Sequence, residues 1–247
     1  MGAQPVLQTP IEVVWFAGAV MLLAYFVRGV TGFGSSLISV PLLAIVVPLP
    51  VIVPVVTALD CITSITHAGR GWRFVVWREL LPLAPFVAAG FVVALYVLQT
   101  ADPALLKRLL GLFVLGYALL QIGKNRVGNP FRRAASMMGL MAGVTNGTFA
   151  MGGPFYVMYL HLRGLSKQQF RATFALIAVA DTGVRTTGYL YSGLLDEVLL
   201  VTVAGFLPLV LCALYLGGHV HVKSSEGAFE TAVIALLVGS GVLLLIG

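Results

Sequence analysis

The chain has 247 residues, of which 59% are hydrophobic and only 10% are charged, and its formal net charge is +6. Soluble globular domains are about 45–50% apolar and about 25% charged, so this composition excludes an ordinary soluble domain. Because about 20 residues cross the hydrocarbon core of a bilayer as a helix, eight such segments need roughly 160 residues. The rest is too short for a separate soluble domain, and the composition predicts a polytopic α-helical membrane protein.

Apolar runs, taken in chain order, predict the membrane segments. Two regions are interrupted: one at Gly29 to Gly34, and the other at Gly143 to Gly147 and again at Gly152 to Pro154. Glycine and proline at this density break the helical hydrogen-bond ladder, which membranes tolerate only where protein or water satisfies the freed groups. We therefore interpret each broken region as a helical hairpin. The runs are 11–28, 33–48, 50–68, 80–98, 105–122, 134–163, 172–191, 197–217 and 228–246.

The positions of the cations predict the topology. If each broken region returns to the side on which it starts, eleven of the 15 cations share one face, and Lys107 and Arg108 lie on the other. The positive-inside rule favours this arrangement, with both termini outside and the basic loops in the cytoplasm. A re-entrant hairpin and two full crossings satisfy the charge count equally well. The eleven cations are Arg70, Arg73, Arg78, Lys124, Arg126, Arg132, Arg133, Arg163, Lys167, Arg171 and Lys223.

The two halves of the chain show traces of an internal repeat. Gly29-Val30-Thr31, Pro41 and Asp60 follow one another in the first half, and Gly143-Val144-Thr145, Pro154 and Asp181 do so in the second. A hairpin followed by three spans is an odd number of crossings, so consecutive units have opposite orientations. Inverted repeats with broken helices are a recurring architecture of secondary transporters. The sequence thus predicts an all-α protein of about eight transmembrane segments in two inverted four-segment repeats, residues 1–128 and 129–247.

The same motifs resemble those of a known family. Gly29 to Leu37, leading to Val40-Pro41-Leu42-Leu43, resembles the first-repeat signature of the sulfite exporter TauE/SafE family. Gly143-Val144, Gly152-Gly153-Pro154 and Phe170-Arg171-Ala172-Thr173 resemble the second-repeat signature. The resemblance covers nearly the whole chain and implies a bacterial or archaeal inner-membrane permease for sulfite, sulfonates or related organosulfur anions. Many members have a longer glycine run where this chain has Phe33 and Ser35-Ser36, so the resemblance implies a substrate class rather than one substrate.

Four ionisable side chains fall within the predicted spans. A charge in hydrocarbon costs at least about 2.5–3.5 kcal/mol, so such residues face a cavity or a partner. Arg28 and Arg185 are candidate ligands for an oxyanion, because a guanidinium is a planar, permanently charged donor. Asp60 and Asp181 are candidates for proton coupling, and Asp60 is favoured because no cation lies within four residues of it. Since Asp181 and Arg185 are four residues apart, a neutral internal ion pair is an open alternative.

The glycine-rich breaks are predicted to supply the rest of the substrate site. A helix that begins after a break presents unpaired N–H groups and a partial positive charge to an anion. The alternative is close helix packing at small residues, which we favour for the scattered Gly90, Gly111, Gly116 and Gly205. The predicted substrate-binding residues are Thr31, Gly32, Phe33, Gly34, Ser35, Thr145, Asn146, Gly147, Gly152 and Gly153, together with Arg28 and Arg185.

These features favour a secondary transporter or exporter of a small sulfur-containing oxyanion, which works by alternating access and is coupled to protons or to the membrane potential. An anion-selective channel lined by the same residues is the alternative, followed by a non-catalytic membrane subunit. The sequence contains no nucleotide-binding loop, zinc-protease motif or nucleophile elbow, so we predict no enzymatic activity, no metal and no cofactor. The expected partners are the anion and the lipid bilayer rather than nucleic acid.

Overall fold

The computed structural model describes residues 11–32, 34–68, 72–122, 134–219 and 226–246. All regular structure in these ranges is helical, which confirms the predicted all-α class. The helices are α1 (Ile11–Thr31), α2 (Ser35–Leu43), α3 (Leu49–Ala68), α4 (Trp77–Thr100), α5 (Pro103–Ile122), α6 (Ala134–Phe149), α7 (Gly153–His161), α8 (Lys167–Tyr191), α9 (Glu197–His219) and α10 (Glu226–Ile246), and a 3-10 turn covers Trp72–Phe74.

Three of these helices are long and apolar enough to cross a membrane: α1, α4 and α9. Large apolar side chains are exposed along all three, including Trp15, Leu81 and Val201. Exposing apolar surface of this kind to water is unfavourable in free energy, whereas contact with lipid avoids this cost. The chain is therefore an integral membrane protein.

The two broken helices are present, and of the two interruptions predicted in the second region the one at Gly152 to Pro154 is confirmed by the break between α6 and α7, while the one at Gly143 to Gly147 is absent. The first separates α1 from α2, where Gly32 and Gly34 have φ angles of +85° and +93°. α6 continues without interruption through Gly143 and Gly147, and the second break begins only at Ala150, with a φ of +57°. The prediction that residues 143–147 interrupt a helix is therefore wrong.

Close helix packing explains why α6 continues through its glycines. A Cβ atom on Gly143 would lie 2.3 Å from the carbonyl oxygen of Val87 on α4, and one on Gly147 would lie 2.5 Å from Cβ of Ala94. Small residues let the backbones of membrane helices approach to contact distance. The packing interpretation is likewise confirmed for Gly90, whose Cβ would lie 2.4 Å from the carbonyl oxygen of Leu140.

The remaining scattered glycines differ among themselves. A Cβ on Gly111 would lie 3.0 Å from the carbonyl oxygen of Gly241 on α10, so this glycine also serves close packing. Gly116 and Gly205 have no atom within 4 Å of the position that a Cβ would take. The packing interpretation does not hold at these two positions.

The helices form two compact units. The first contains α1, α2, α3 up to Val56, α5, α9 and α10, and the second contains α3 from Thr57 onward, α4, α6, α7 and α8. In the first unit α1 packs along α9 and α5 along α10; in the second α4 packs along α6, and α8 contacts α4 and α7. Most of the polar residues singled out from the sequence lie in the second unit.

Candidate functional site

A buried ion pair lies at the centre of the polar residues of the second unit. Arg185 Nε donates to Asp181 Oδ2 at 2.8 Å, and the two side chains are only 3% and 6% exposed. Both residues lie on α8, one helical turn apart, which is the spacing at which side chains on a helix meet. The predicted Asp181–Arg185 ion pair is therefore present.

Two further donors converge on the Asp181 carboxylate. Asn146 Nδ2 on α6 lies 2.5 Å from Oδ2, and the Tyr156 hydroxyl on α7 donates to Oδ1 at 2.8 Å. Both side chains are buried. The carboxylate thus accepts three hydrogen bonds from three helices.

The Arg185 guanidinium binds more than its carboxylate partner. Nη1 donates to Thr57 Oγ1 at 2.9 Å and to the backbone carbonyl of Asn146 at 3.0 Å. Tyr189, one turn further along α8, also hydrogen-bonds to this side chain. A guanidinium has five N–H donors, so one side chain can bind Asp181, Thr57, Tyr189 and the Asn146 carbonyl together.

Asn146 connects this cluster to the second helix break. Its Oδ1 accepts from the backbone N–H of Gly152 at 2.8 Å, while its carbonyl accepts from the N–H of Ala150 at 2.8 Å. Gly152 has no room for a side chain, because a Cβ there would lie 2.6 Å from Cβ of Asn146. One amide side chain therefore links the carboxylate on α8 to the backbone at the start of α7.

The start of α7 offers an anion fewer donors than the sequence suggests. Pro154 has no N–H, the N–H of Gly152 is bonded to Asn146, and the N–H of Phe155 bonds to the carbonyl of Gly152. Among residues 152–155, only the N–H of Gly153 makes no hydrogen bond within the described chain. The space where a Cβ would extend from Gly153 is open.

The first break belongs to the first unit and has its own buried cation. Arg28 Nη1 donates to Ser35 Oγ at 3.1 Å, and its guanidinium lies 5.9 Å from the ring centroid of Tyr25. Arg28 and Ser35 are buried, while Thr31 and Gly32 are exposed. The predicted residue Phe33 lies outside the described residues. The structure therefore brings Arg28 and Ser35 together at this break.

Several predicted residues are engaged locally. The hydroxyls of Thr31 and Thr145 donate to carbonyls one turn earlier, Val27 at 2.9 Å and Met141 at 2.7 Å, which is common for threonine in membrane helices. The carbonyl of Gly147 accepts from the Tyr189 hydroxyl at 2.6 Å. These three residues thus have structural partners in their immediate surroundings.

Asp60 is buried on α3, where the Thr63 hydroxyl donates to its backbone carbonyl at 3.2 Å. None of the hydrogen bonds that hold Asp181 and Arg185 within the described chain involves Asp60. The two predicted proton-coupling carboxylates therefore do not share these hydrogen bonds. The role of Asp60 stays a prediction.

Sequence reasoning missed Thr57, Tyr156 and Tyr189. A signal existed for the tyrosines, because a hydroxyl on an otherwise apolar helix must find a partner when it is buried. Thr57 gave no such signal, since 128 residues separate it from Arg185 and its hydroxyl could bond within its own helix. Tertiary packing alone brings it to the guanidinium.

A second polar cluster joins the first turn of α4 to the end of α7. Arg163 Nε lies 2.8 Å from Glu79 Oε2, the Tyr159 hydroxyl donates to the same oxygen at 2.8 Å, and Arg163 stacks 4.9 Å above the Tyr159 ring centroid. The charged side chains are 28% and 20% exposed. This partly exposed cluster stabilises the second unit and lies apart from the hydrogen bonds of Asp181.

Metal binding has no support in the described ranges, where no group of three or more His, Cys, Asp and Glu could hold an ion. Cys61 and Cys212 are free thiols.

The chain is similar to proteins of a known family. The family model described as "Sulfite exporter TauE/SafE" matches residues 17–244. A Comamonas testosteroni protein named "Probable inner membrane transporter protein TsaS" is 27% identical over 194 residues, 75% of this chain and 79% of the relative. A Cupriavidus necator protein named "Probable sulfite/organosulfonate exporter TauE" is 24% identical over 233 residues, 90% of this chain and 89% of the relative. No solved structure matches the chain significantly.

Proposed function

Because the chain belongs to the sulfite exporter TauE/SafE family, we propose that it is a secondary transporter of a small sulfur-containing oxyanion, a sulfite or a sulfonate, across an inner membrane. The names of the two relatives support this substrate class. The structural observation that carries the proposal is the buried Arg185 guanidinium at the centre of a cluster of polar side chains. A permanently charged donor in a membrane-embedded site is typical of an anion pathway.

The chemistry of the substrate fits this donor. Sulfite and sulfonate groups present several oxygens on one sulfur atom, and a guanidinium fork binds two such oxygens at once. Asn146 and Tyr156 place neutral donors beside the same arginine through their bonds to Asp181. We assign Arg185 the main role in holding the anion, with the N–H of Gly153 as a nearby backbone donor.

We further propose that the protein consists of two inverted repeats of four segments, residues 1–128 and 129–247, with about eight spans in total. The helix bounds support this: α2 (35–43) and α7 (153–161) are both offset by 118 residues at each end, and so are the starts of α3 (49) and α8 (167). The N–H of Gly32 bonds to the carbonyl of Arg28 at 2.7 Å, and at the same offset the N–H of Ala150 bonds to that of Asn146 at 2.8 Å.

This offset revises the internal alignment suggested by the short motifs. It pairs Gly29 with Gly147 rather than with Gly143, and it pairs Asp181 with Thr63, one helical turn from Asp60. Helix packing agrees with this alignment, in which α1 is equivalent to α6 and α4 to α9. In each case a helix of one repeat packs on a helix of the other: α1 on α9, and α6 on α4. The equivalence of the two break regions therefore rests on backbone geometry rather than on matching glycines.

The orientation and the transport cycle complete the proposal. The cation distribution supports termini outside and basic loops in the cytoplasm, and inverted repeats with broken helices support alternating access. The contribution of both breaks to one substrate site, including that of Phe33, stays a prediction from the sequence.

Flux into proteoliposomes tests the proposed function. A transporter should carry sulfite or methanesulfonate with saturable kinetics, and unlabelled anion on the far side of the membrane should accelerate uptake of labelled anion. An anion channel, the alternative, should pass anions at high rates without saturation at modest concentration and without this acceleration. Arg185→Gln should reduce flux at least about tenfold, because it removes a charged donor worth about 1.5–3 kcal/mol. Arg163→Gln, which removes a partly exposed arginine, is the matched control. The absence of any anion flux would overturn the proposal.

A further inference from the structure

The Asp181 carboxylate is itself an oxyanion held by a set of converging donors. Arg185 Nε at 2.8 Å, Asn146 Nδ2 at 2.5 Å and the Tyr156 hydroxyl at 2.8 Å approach its two oxygens from α8, α6 and α7. All four side chains are buried. A positively charged donor and two neutral donors on separate helices are what a protein uses to bind a free anion.

The charge balance of this cluster restricts when a second anion can enter. Within the described ranges, Arg185 and Tyr189 on α8 and Tyr156 on α7 are titratable groups that interact with Asp181. The neighbouring side chains from other helices are neutral: Asn146 on α6, Thr57 on α3, and Phe91 on α4, whose ring packs on Tyr189.

Further ionisable groups lie on the elements packed around α8. Asp60 lies on α3, three residues after Thr57, and the backbone N–H of Val76, after the 3-10 turn, donates to Thr173 on α8 at 3.1 Å. Thr173 lies eight residues before Asp181, about 12 Å along the helix. The charges of Asp181 and Arg185 cancel each other, so an added anion would leave an excess negative charge in a buried site, which is costly.

Protonation of Asp181 removes this cost. We infer that Asp181 is an internal substitute for the substrate: its carboxylate occupies the donors in the empty protein, and a sulfur oxyanion takes those donors when Asp181 binds a proton. One proton from solvent forms the O–H bond of the carboxylic acid, and no bond to sulfur changes. The site is then neutral both when empty and when loaded.

This inference rests on the proposed function and adds a coupling rule to it. One monovalent oxyanion moves together with one proton, so transport is electroneutral and its direction follows the combined gradients of anion and proton. Because Asn146 also holds the N–H of Gly152, loss of its bond to Asp181 is transmitted to the start of α7. Asn146 is thus a positioning residue between the anion and the helix break.

Proton uptake on binding tests the inference. The full-length protein in detergent is titrated with methanesulfonate in buffers of different ionisation enthalpy. This sulfonate keeps its charge between about pH 5 and about pH 8, so any proton taken up belongs to the protein. Where Asp181 is ionised in the empty protein, we expect about one proton per sulfonate and an affinity that falls about tenfold per pH unit. Asp181→Asn should take up no proton, and its affinity should change less than about twofold over the same range.

Three variants make the outcome specific. Tyr156→Phe removes a donor but not the protonated group, so it should bind the sulfonate more weakly and still take up a proton. Asp102→Asn is the matched acid-to-amide control, because Asp102 is exposed and its Oδ1 only accepts from the N–H of Ala104 at 2.6 Å. Asp60→Asn tests the carboxylate that sequence reasoning favoured.

Wild-type binding without proton uptake would overturn the inference, and that measurement decides even if Asp181→Asn does not fold. Uptake that persists in Asp181→Asn, or that is lost in Asp60→Asn and kept in Asp181→Asn, would overturn it as well. Failure of the proposed function gives a different result, in which neither sulfite nor methanesulfonate binds or moves at any pH.

Discussion

Replacing Gly143 by alanine perturbs the contact between α4 and α6. The new Cβ would lie 2.3 Å from the carbonyl oxygen of Val87 and 3.0 Å from Cα of Gly90, whereas ordinary contacts are 3.4 Å or longer. The helices must therefore separate by about 1 Å over this turn, or the backbone of α4 must bend. Overpacking of this kind costs about 1–3 kcal/mol, and backbone atoms cannot relax by changing rotamer.

Thermal unfolding of the purified protein in one detergent measures this loss. At about 2–4 °C per kcal/mol for a chain of this length, we expect Gly143→Ala to lower the midpoint by roughly 2–12 °C. Gly205→Ala is the matched control, because its Cβ meets no atom within 4 Å and alanine is a better helix former than glycine by about 1 kcal/mol. Equal midpoints for the two variants would refute the assignment of Gly143 to close packing.

Three further predictions concern single side chains. Arg185→Ala should destabilise the protein by about 3–5 kcal/mol because it leaves Asp181 buried and unpaired, and Asp181→Ala in the same chain should recover part of this loss in thermal unfolding; strictly additive losses would contradict the pairing. Glu79→Gln should lower the free energy of unfolding by no more than about 1 kcal/mol, since the ion pair with Arg163 is partly exposed and screened by salt. A larger loss in the same assay would contradict this reasoning. Gly34→Ala should cost about 1–2 kcal/mol because the φ of Gly34 is +93°, while Gly153→Ala, in open space, should cost less; the reverse order would contradict the backbone geometry of the first break.

Long apolar runs made most helices predictable from the sequence. The predicted run 197–217 became α9 at Glu197–His219, and 105–122 became α5 at Pro103–Ile122. Lipid demands about 20 consecutive apolar residues, so the composition of a segment constrains its length.

The continuity of α6 through Gly143 and Gly147 was not predictable in this way. Gly143 and Gly147 have the composition of a break, yet they remain helical because Gly90 and Ala94 on α4 pack against them. About fifty residues separate the two sides of this contact, and only the folded structure shows that the glycines face a neighbouring helix.

In the candidate site, too, contacts within one helix were predictable and contacts between helices were not. The Asp181–Arg185 pair was predictable because its spacing of four residues acts within one helix. Tyr156 and Thr57 reach the pair from α7 and α3 and could not be found by local spacing. The sequence favoured Asp60 over Asp181 for proton coupling because no cation lies near Asp60 along the chain. The donors to Asp181 come from three helices, which the sequence around it does not show.

Binding of selenite, a heavier analogue of sulfite, tests the central claim most directly. Anomalous scattering from crystals of the protein grown with selenite at low pH locates the selenium atom without assuming the site. We expect selenite oxygens within hydrogen-bond distance of the Arg185 guanidinium, with the Asp181 carboxyl no longer bonded to Arg185 Nε. Selenite bound elsewhere, with the Asp181–Arg185 ion pair intact at 2.8 Å, would contradict it.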